Sequence, residues 1–221
     1  KLVADTAQAP GAMVGDCVAG TVADIGGFSL NYHKHIHCGE GGLLVTNDSR
    51  LAERMRLIRN HGEAVIKTED PFDLANILGY NFRLGEIEAA IAREQLHKLP
   101  HLVKSRQSAA QRLCEGLSDL AGLHLPVVAS NCTHVYYIFG MTLDINRLNH
   151  PRSWIIDALR AEGVSALMAG YQCIHLNPLF TKRIAYGTQG FPWKGLVSGE
   201  SSVTYQSGLC PIAEYLHQES F

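Results

Sequence analysis

From Phe28 to Gly42 the chain reads FSLNYHKHIHCGEGG, with three histidines at alternate positions, a cysteine beside the last and one lysine among them. On an extended strand His33, His35 and His37 would all face the same side, and converging neutral imidazoles can bind zinc or another transition metal. Cys38 would point the other way, and Glu40 lies beyond the break that the GEGG turn makes in the strand. The expectation is therefore no metal, the histidines instead lining a polar pocket on an irregular loop. A nucleophilic Cys38 lacks an identifiable base. Lys34 is the remaining reactive group. A lysine forms a Schiff base with an aldehyde once its ammonium loses a proton, and burial and nearby positive charge encourage that loss. Alone it specifies nothing, because most lysines are solvated surface charges.

The composition excludes several classes of function. The chain has 221 residues, 46% of them hydrophobic and 18% charged, ordinary values for a soluble globular protein. A net charge of −2 without any Lys/Arg block gives no reason to expect nucleic acid. No apolar run approaches the ~20 residues that cross a bilayer, and no signal peptide is read at the start. The cysteines at 17, 38, 114, 132, 173 and 210 form no CxxC pair, so neither a zinc ribbon nor a disulfide framework is expected. Reduced thiols in the cytoplasm fit that spacing. Both ends look cut: Leu2-Val3-Ala4 reads as a buried strand with nothing leading into it, and IAEYLHQESF stops as an amphipathic segment begins.

Around Lys34 the pattern predicts an α/β layer. Phe28–Asn31 and Gly42–Thr46 read as strands joined through GEGG. Asn47-Asp48-Ser49 then offers caps for a helix carrying Leu51, Met55 and Ile58, which ends near His61-Gly62 with glycine in the C′ role. Residues 63–80, with Pro71, read as irregular. LGEIEAAIAREQLHKL has helical period, Pro100 interrupts it, and a second helix is expected from about Leu102 to Leu117. Beyond a turn at Leu120-Ala121-Gly122 the order is strand (LHLPVV), strand (VYYIFGMTL), helix (PRSWIIDALRAEG) and strand (VSALM). Pro151 just inside that helix and Gly163 just past it mark its ends.

Four blocks in order, VADTAQAPGA, GGFSLNYHKHIHCGEGGLLVTND, MRLIRNHGE and GYNFRLGEIEAAIAREQL, resemble the DegT/DnrJ/EryC1/StrS family of pyridoxal-phosphate sugar aminotransferases, of the fold-type I group. The resemblance runs from Lys1 to Leu117 and continues more loosely through HVYYIFGMTLD to the CPIAEYL ending. It implies an α/β fold: the C-terminal half of a cofactor-binding large domain over residues 1–98, then a linker helix and a small α+β domain over 99–221. Lys34 matches the lysine that holds the cofactor by a Schiff base and then moves a proton. Asp5 matches the acid paired with the pyridine nitrogen, which keeps the ring an electron sink. Gln8 matches a glutamine lying against the ring, and Ser29 a hydroxyl on the phosphate. Asn81 matches an asparagine that reaches the phosphate of a neighbouring subunit. Arg83, on the same loop, and His33 and His35, flanking the lysine, are candidate substrate contacts. Each residue also has a plainer reading: Asp5 as a strand-end turn, Ser29 as a satisfied hydroxyl, Asn81 as the N-cap of the next helix.

What the resemblance implies for function is transfer of an amino group from L-glutamate to a keto group of a nucleotide-linked deoxysugar. It also implies a homodimer with shared active sites. Members of the family normally carry a long segment before the ADTAQA block, with the rest of the phosphate cradle and the aromatic ring that stacks on the cofactor. The 221 residues are thus expected to lack a complete site. The alternatives are a related enzyme acting on a cyclitol or ketosugar, dehydratases included, or a non-catalytic regulatory member. Dehydratase relatives carry histidine where this chain has Lys34, which favours amino transfer.

Overall fold

A computed structural model describes residues 1–63, 77–168, 171–194 and 203–221. Most of the stretch expected to be irregular, Pro71 included, lies outside the described residues. The chain packs as two compact units. One is Lys1–Glu115 with Val127–Phe139, the other Gly116–Pro126 with Gly140–Phe221.

The first unit opens with β1 (Val3–Asp5), followed by the short paired strands β2 (Met13–Val14) and β3 (Cys17–Val18), then β4 (Ile25–Ser29) and β5 (Gly42–Val45). β4 is the central strand of a three-stranded sheet. It runs parallel to β1, with Asp5 opposite Gly27, and antiparallel to β5, with Ser29 opposite Gly42. Gly26 must be glycine, because a Cβ there would lie 2.5 Å from the backbone oxygen of Gly20. The loop between β4 and β5 is closed by Leu30, whose N–H donates to the Gly41 carbonyl at 2.8 Å and whose carbonyl accepts from Cys38 N–H at 3.1 Å.

Helix α1 (Ser49–Arg59) starts where Asp48 Oδ1 accepts from the backbone N–H groups of Arg50 and Leu51 at 2.9 and 3.1 Å, an N-cap as expected. Its end is shared between two left-handed residues, His61 at φ 61° and Gly62 at φ 73°. Gly62 N–H closes on the Leu57 carbonyl at 2.8 Å, while the Ile58 carbonyl is taken by Tyr80 N–H at 2.7 Å.

Helix α2 (Glu86–Leu117) is one continuous element of 32 residues, so Pro100 does not end it and the junction expected after residue 98 falls inside it. An interior proline removes one ladder hydrogen bond and crowds the preceding turn, at about 3 kcal/mol. Packing on both sides of Pro100 offsets that. Leu99 and Val103 pack with Ala12 and Val135, and Leu99 and Leu102 with Leu30, Ile36 and Cys38. Residues 127–139 belong to this unit through β2: Thr133 N–H donates to the Met13 carbonyl at 3.0 Å and Gly15 N–H to the Asn131 carbonyl at 2.7 Å.

In the second unit β6 (Leu123–His124) pairs antiparallel with β7 (Thr142–Leu143), so the strands expected over LHLPVV and VYYIFGMTL shrink to two residues each. Then come α3 (Ile145–Leu148), α4 (Arg152–Ala161), a 3-10 turn at Ile174–Leu176, α5 (Pro178–Thr181) and α6 (Pro211–Glu219). Pro151 is the N-cap of α4, and Gly163 follows its end at φ 94°. The expected strand at Val164–Met168 does not form. Arg152 ties α4 to the end of α6 by donating to the carbonyls of His217 and Ser220. With helices and strands mixed through the chain, the structure is of α/β content.

Candidate active site

Two parallel neighbours, β1 and β4, end on the same edge of the sheet, and Asp5 and Ser29 are their last residues. Polar ligands of open α/β sheets bind beyond the carboxyl ends of parallel strands. Asp5 is exposed, and its Oδ1 accepts from Ala7 N–H at 3.0 Å, so the carboxylate is held at the turn leaving β1. Thr6, which the sequence reading passed over, fixes that turn from below. Its backbone N–H and its hydroxyl both donate to the Gly27 carbonyl, at 2.9 and 2.7 Å. Gln8 lies exposed three residues beyond Asp5. Ser29 is half-buried, with Oγ accepting from Asn31 N–H at 3.2 Å.

Lys34 sits on the loop leaving β4, and Asn31 organises that loop. The Asn31 carbonyl accepts from Lys34 N–H at 2.9 Å, its Oδ1 accepts from His33 N–H at 3.1 Å, and its Nδ2 donates to Glu40 at 2.7 Å. The backbone here is a series of turns, not a strand, so the alternation of the histidines does not carry them to one face. His33 is exposed and lies against Tyr32, ring centroids 3.8 Å apart, while His35 is buried. Among the described residues no three His, Cys, Asp or Glu side chains are grouped to hold a metal ion. Cys38 is buried as well. Burial first, and the Glu88 charge second, push its thiol pKa up, and Sγ donates to the Glu40 carbonyl at 3.4 Å, which makes it an unreactive thiol.

His35 makes a contact across 100 residues: its Nε2 is 2.9 Å from the carbonyl of Val135, itself buried. A carbonyl only accepts, so Nε2 carries the hydrogen and Nδ1 is the bare nitrogen, buried without a partner. Burial pushes the His35 pKa down, and the neighbouring Arg106, His134 and Lys34 push the same way, against the Val135 bond, so the ring is neutral at pH 7. Two residues beyond this contact, Tyr137 faces the lysine, with Lys34 Nζ 4.6 Å from its ring centroid.

Asn81 and Arg83 are docked elsewhere in the unit, on the end of α1. Asn81 bridges to Asn60, Phe82 N–H donates to the Arg59 carbonyl at 2.9 Å, and Arg83 donates to Asn60 Oδ1 at 2.6 Å. Helix α2 begins at Glu86, so Asn81 is too far upstream to cap it. Asn81 and Arg83 are exposed beside the stacked rings of Tyr80 and Phe82, 4.9 Å apart.

A carboxylate and a hydroxyl at adjacent strand ends, with an amine on the following loop, form a donor set suited to an aldehyde bearing a phosphate and a basic ring nitrogen. Over 100% of its length the chain is 35% identical to dTDP-3-amino-3,4,6-trideoxy-alpha-D-glucose transaminase of Micromonospora megalomicea subsp. nigra, of which it covers 52%. Among solved structures, S. venezuelae DesV in complex with a ketimine intermediate matches at TM-score 0.76 and 28% identity, covering 99% of this chain and 50% of that one. E. coli GDP-4-keto-6-deoxy-D-mannose-3-dehydratase with bound hydrated PLP matches at TM-score 0.63 and 26% identity, over 74% of this chain and 44% of that one. The chain spans about half the length of these relatives. Residues 1–195 match the profile of a family whose cofactor is pyridoxal phosphate. The chain belongs to the DegT/DnrJ/EryC1/StrS aminotransferase family.

Proposed function

We propose that the protein transfers an amino group from L-glutamate to a keto group on a nucleotide-linked deoxysugar. The observation that carries this reading is Lys34 on the loop leaving β4, following Asp5 and Ser29 at the ends of two adjacent parallel strands. When bound, pyridoxal phosphate supplies an electron sink for the carbon that gains or loses the amino group. Asp5 would set a negative charge against the ring nitrogen, the Ser29 hydroxyl would donate to a phosphate oxygen, and Gln8 would lie along the ring. Lys34 would hold the group through its aldehyde carbon and, as a free amine, would carry the proton at the substrate carbon. A lysine at this position supports amino transfer over dehydration. The exposure of His33 next to Lys34 supports a substrate contact there, whereas His35 is buried.

The proposed large domain is the half of a fold-type I domain that carries this lysine, and the working unit is a homodimer. What supports the dimer is the exposure of Asn81 and Arg83 with the Tyr80–Phe82 pair, on a segment fixed to α1 by backbone bonds. Among the described residues no helix is long and apolar enough to cross a membrane; the proposed location is the cytoplasm.

The test has two parts. Protein incubated with pyridoxal phosphate is reduced with borohydride and peptide-mapped, and the reading requires the label on Lys34 and its loss in Lys34→Ala. The full-length protein is then supplied with L-glutamate and a panel of nucleoside-diphosphate ketosugars and cyclitol ketones. Formation of an aminosugar, lowered at least ~10²-fold by Lys34→Ala, supports the proposal; deoxygenated products without amine incorporation would replace it with the dehydratase reading.

A further inference from the structure

The backbone from His134 to Tyr136 is neither strand nor helix, yet three successive carbonyls are each taken by a side chain from elsewhere. Gln107 Nε2 donates to the His134 carbonyl at 3.0 Å, His35 Nε2 to the Val135 carbonyl at 2.9 Å, and Arg106 Nη1 to the Tyr136 carbonyl at 3.0 Å. Tyr136 is turned into the left-handed region, φ 50°, with its N–H on His134 Nδ1 at 2.8 Å. A non-glycine residue is held there only when its surroundings impose it. The consequence of this clamp is the placement of the next residue. The half-buried Tyr137 ring lies under the Lys34 ammonium and 5.9 Å from the His35 ring.

We infer that Tyr137 is a positioning residue for Lys34: its ring is the resting place of the lysine ammonium whenever Nζ is not bonded to the cofactor. This deepens the proposed function and rests on the reading of Lys34 as the attachment point. A lysine that is displaced once in each half of the reaction needs a place that keeps its tip near the reacting carbon. It also has to leave that place easily. A carboxylate would hold the ammonium, and its proton, too firmly. An aromatic face attracts a cation more weakly, enough to bias its position about two- to five-fold at a partly exposed site, and offers no acceptor that competes for the proton. The clamp explains why an irregular segment far along the chain is held so tightly: the ring can serve only if it stays under the loop.

The test compares Tyr137→Phe, which keeps the ring, with Tyr137→Leu, which removes it but keeps apolar bulk. Each protein is given limiting pyridoxal phosphate, reduced and peptide-mapped, and the label on Lys34 is expressed relative to Lys98 and Lys104. The expected result is parent-like selectivity for Phe and a drop of about two- to five-fold for Leu, with unchanged thermal midpoints. A cofactor-free reading accompanies it. In protein carrying 13C-lysine, the Lys34 ε-methylene protons, assigned with Lys34→Arg, are shifted upfield by the ring in parent and Phe variant and return to the ordinary position in the Leu variant. Loss of selectivity in Phe and Leu alike, or parent-like selectivity in Leu, overturns the inference, as does absence of the upfield shift in the parent. An upfield shift without Lys34 labelling in the full-length parent overturns the attachment reading instead, and with it the role assigned to the contact.

Discussion

Acid should loosen the segment that faces Lys34 through a single ring, His35. Its Nε2–H is committed to the buried Val135 carbonyl at 2.9 Å, and its Nδ1 is buried without a partner. A proton added at Nδ1 would place a charge in a site without an acceptor for it, close to Arg106, His134 and Lys34, and so the folded pKa lies below the ordinary value. In the unfolded chain the same ring takes its proton near pH 6.5. Above about pH 6.5 neither state is protonated and His35 makes stability independent of pH. Below it the unfolded state binds the proton first, and stability falls with pH by at most about 1.4 kcal/mol per unit until the folded pKa is reached. His35→Gln is the matched variant, because its amide N–H can still reach the carbonyl and it does not titrate. Urea unfolding of both proteins from about pH 5 to 8 isolates this ring from the other histidines. The parent should lose stability relative to the variant only on the acid side. A constant difference across the range, or one that widens toward alkaline pH, would refute the buried neutral assignment.

Pro100→Ala should stabilise the protein by about 1–2 kcal/mol in urea unfolding, since the exposed proline costs α2 about 3 kcal/mol while stiffening the unfolded chain by up to about 1. Gly26→Ala, with its Cβ 2.5 Å from a backbone oxygen that cannot rotate away, should cost about 1–3 kcal/mol and lower the labelling of Lys34, because β4 carries the loop. Glu214 accepts from Ser207 Oγ, His175 Nε2 and the N–H groups of Gly208 and Cys210, and these hold its pKa at about 2 against an ordinary 4.5. Its contribution to stability is complete above about pH 4.5 and is lost as pH falls toward 2; Glu214→Gln should shift the acid unfolding midpoint, followed by circular dichroism, toward neutral pH.

The parts of the site that were legible in the sequence are local ones. Asp5, Ser29 and Lys34 were singled out by the resemblance of their sequence blocks to the family, and they lie in one run of strand, crossover and loop. Asp48 as a cap is equally local. Pro100 was misleading because the local rule is correct but smaller than the packing of Leu99, Leu102 and Val103 around it. Val135-Tyr136-Tyr137-Ile138-Phe139 has the composition of a strand, yet its carbonyls find side chains of α2 and of the lysine loop in place of a neighbouring strand. Nothing within a window of sequence announces that arrangement, since the bond from His35 to Val135 spans 100 residues.

The histidines around Lys34 bear on how the lysine is held. Their alternation has meaning only on an extended backbone, and Asn31 forces turns there, taking the N–H groups of both His33 and Lys34. With the backbone turned, His33 goes to solvent and His35 to the core, leaving Lys34 half-buried between them. A lysine that must form and release a bond needs a fixed backbone and a mobile tip. Asn31 on one side and the buried His35 on the other supply the first, and a ring contact that a covalent bond easily displaces is compatible with the second. Under the proposed function the placement of the Lys34 amine depends on Asn31 and His35, whose bonds hold the loop from either side. A substitution at His35 or Asn31 would therefore misdirect Lys34 while leaving it chemically intact.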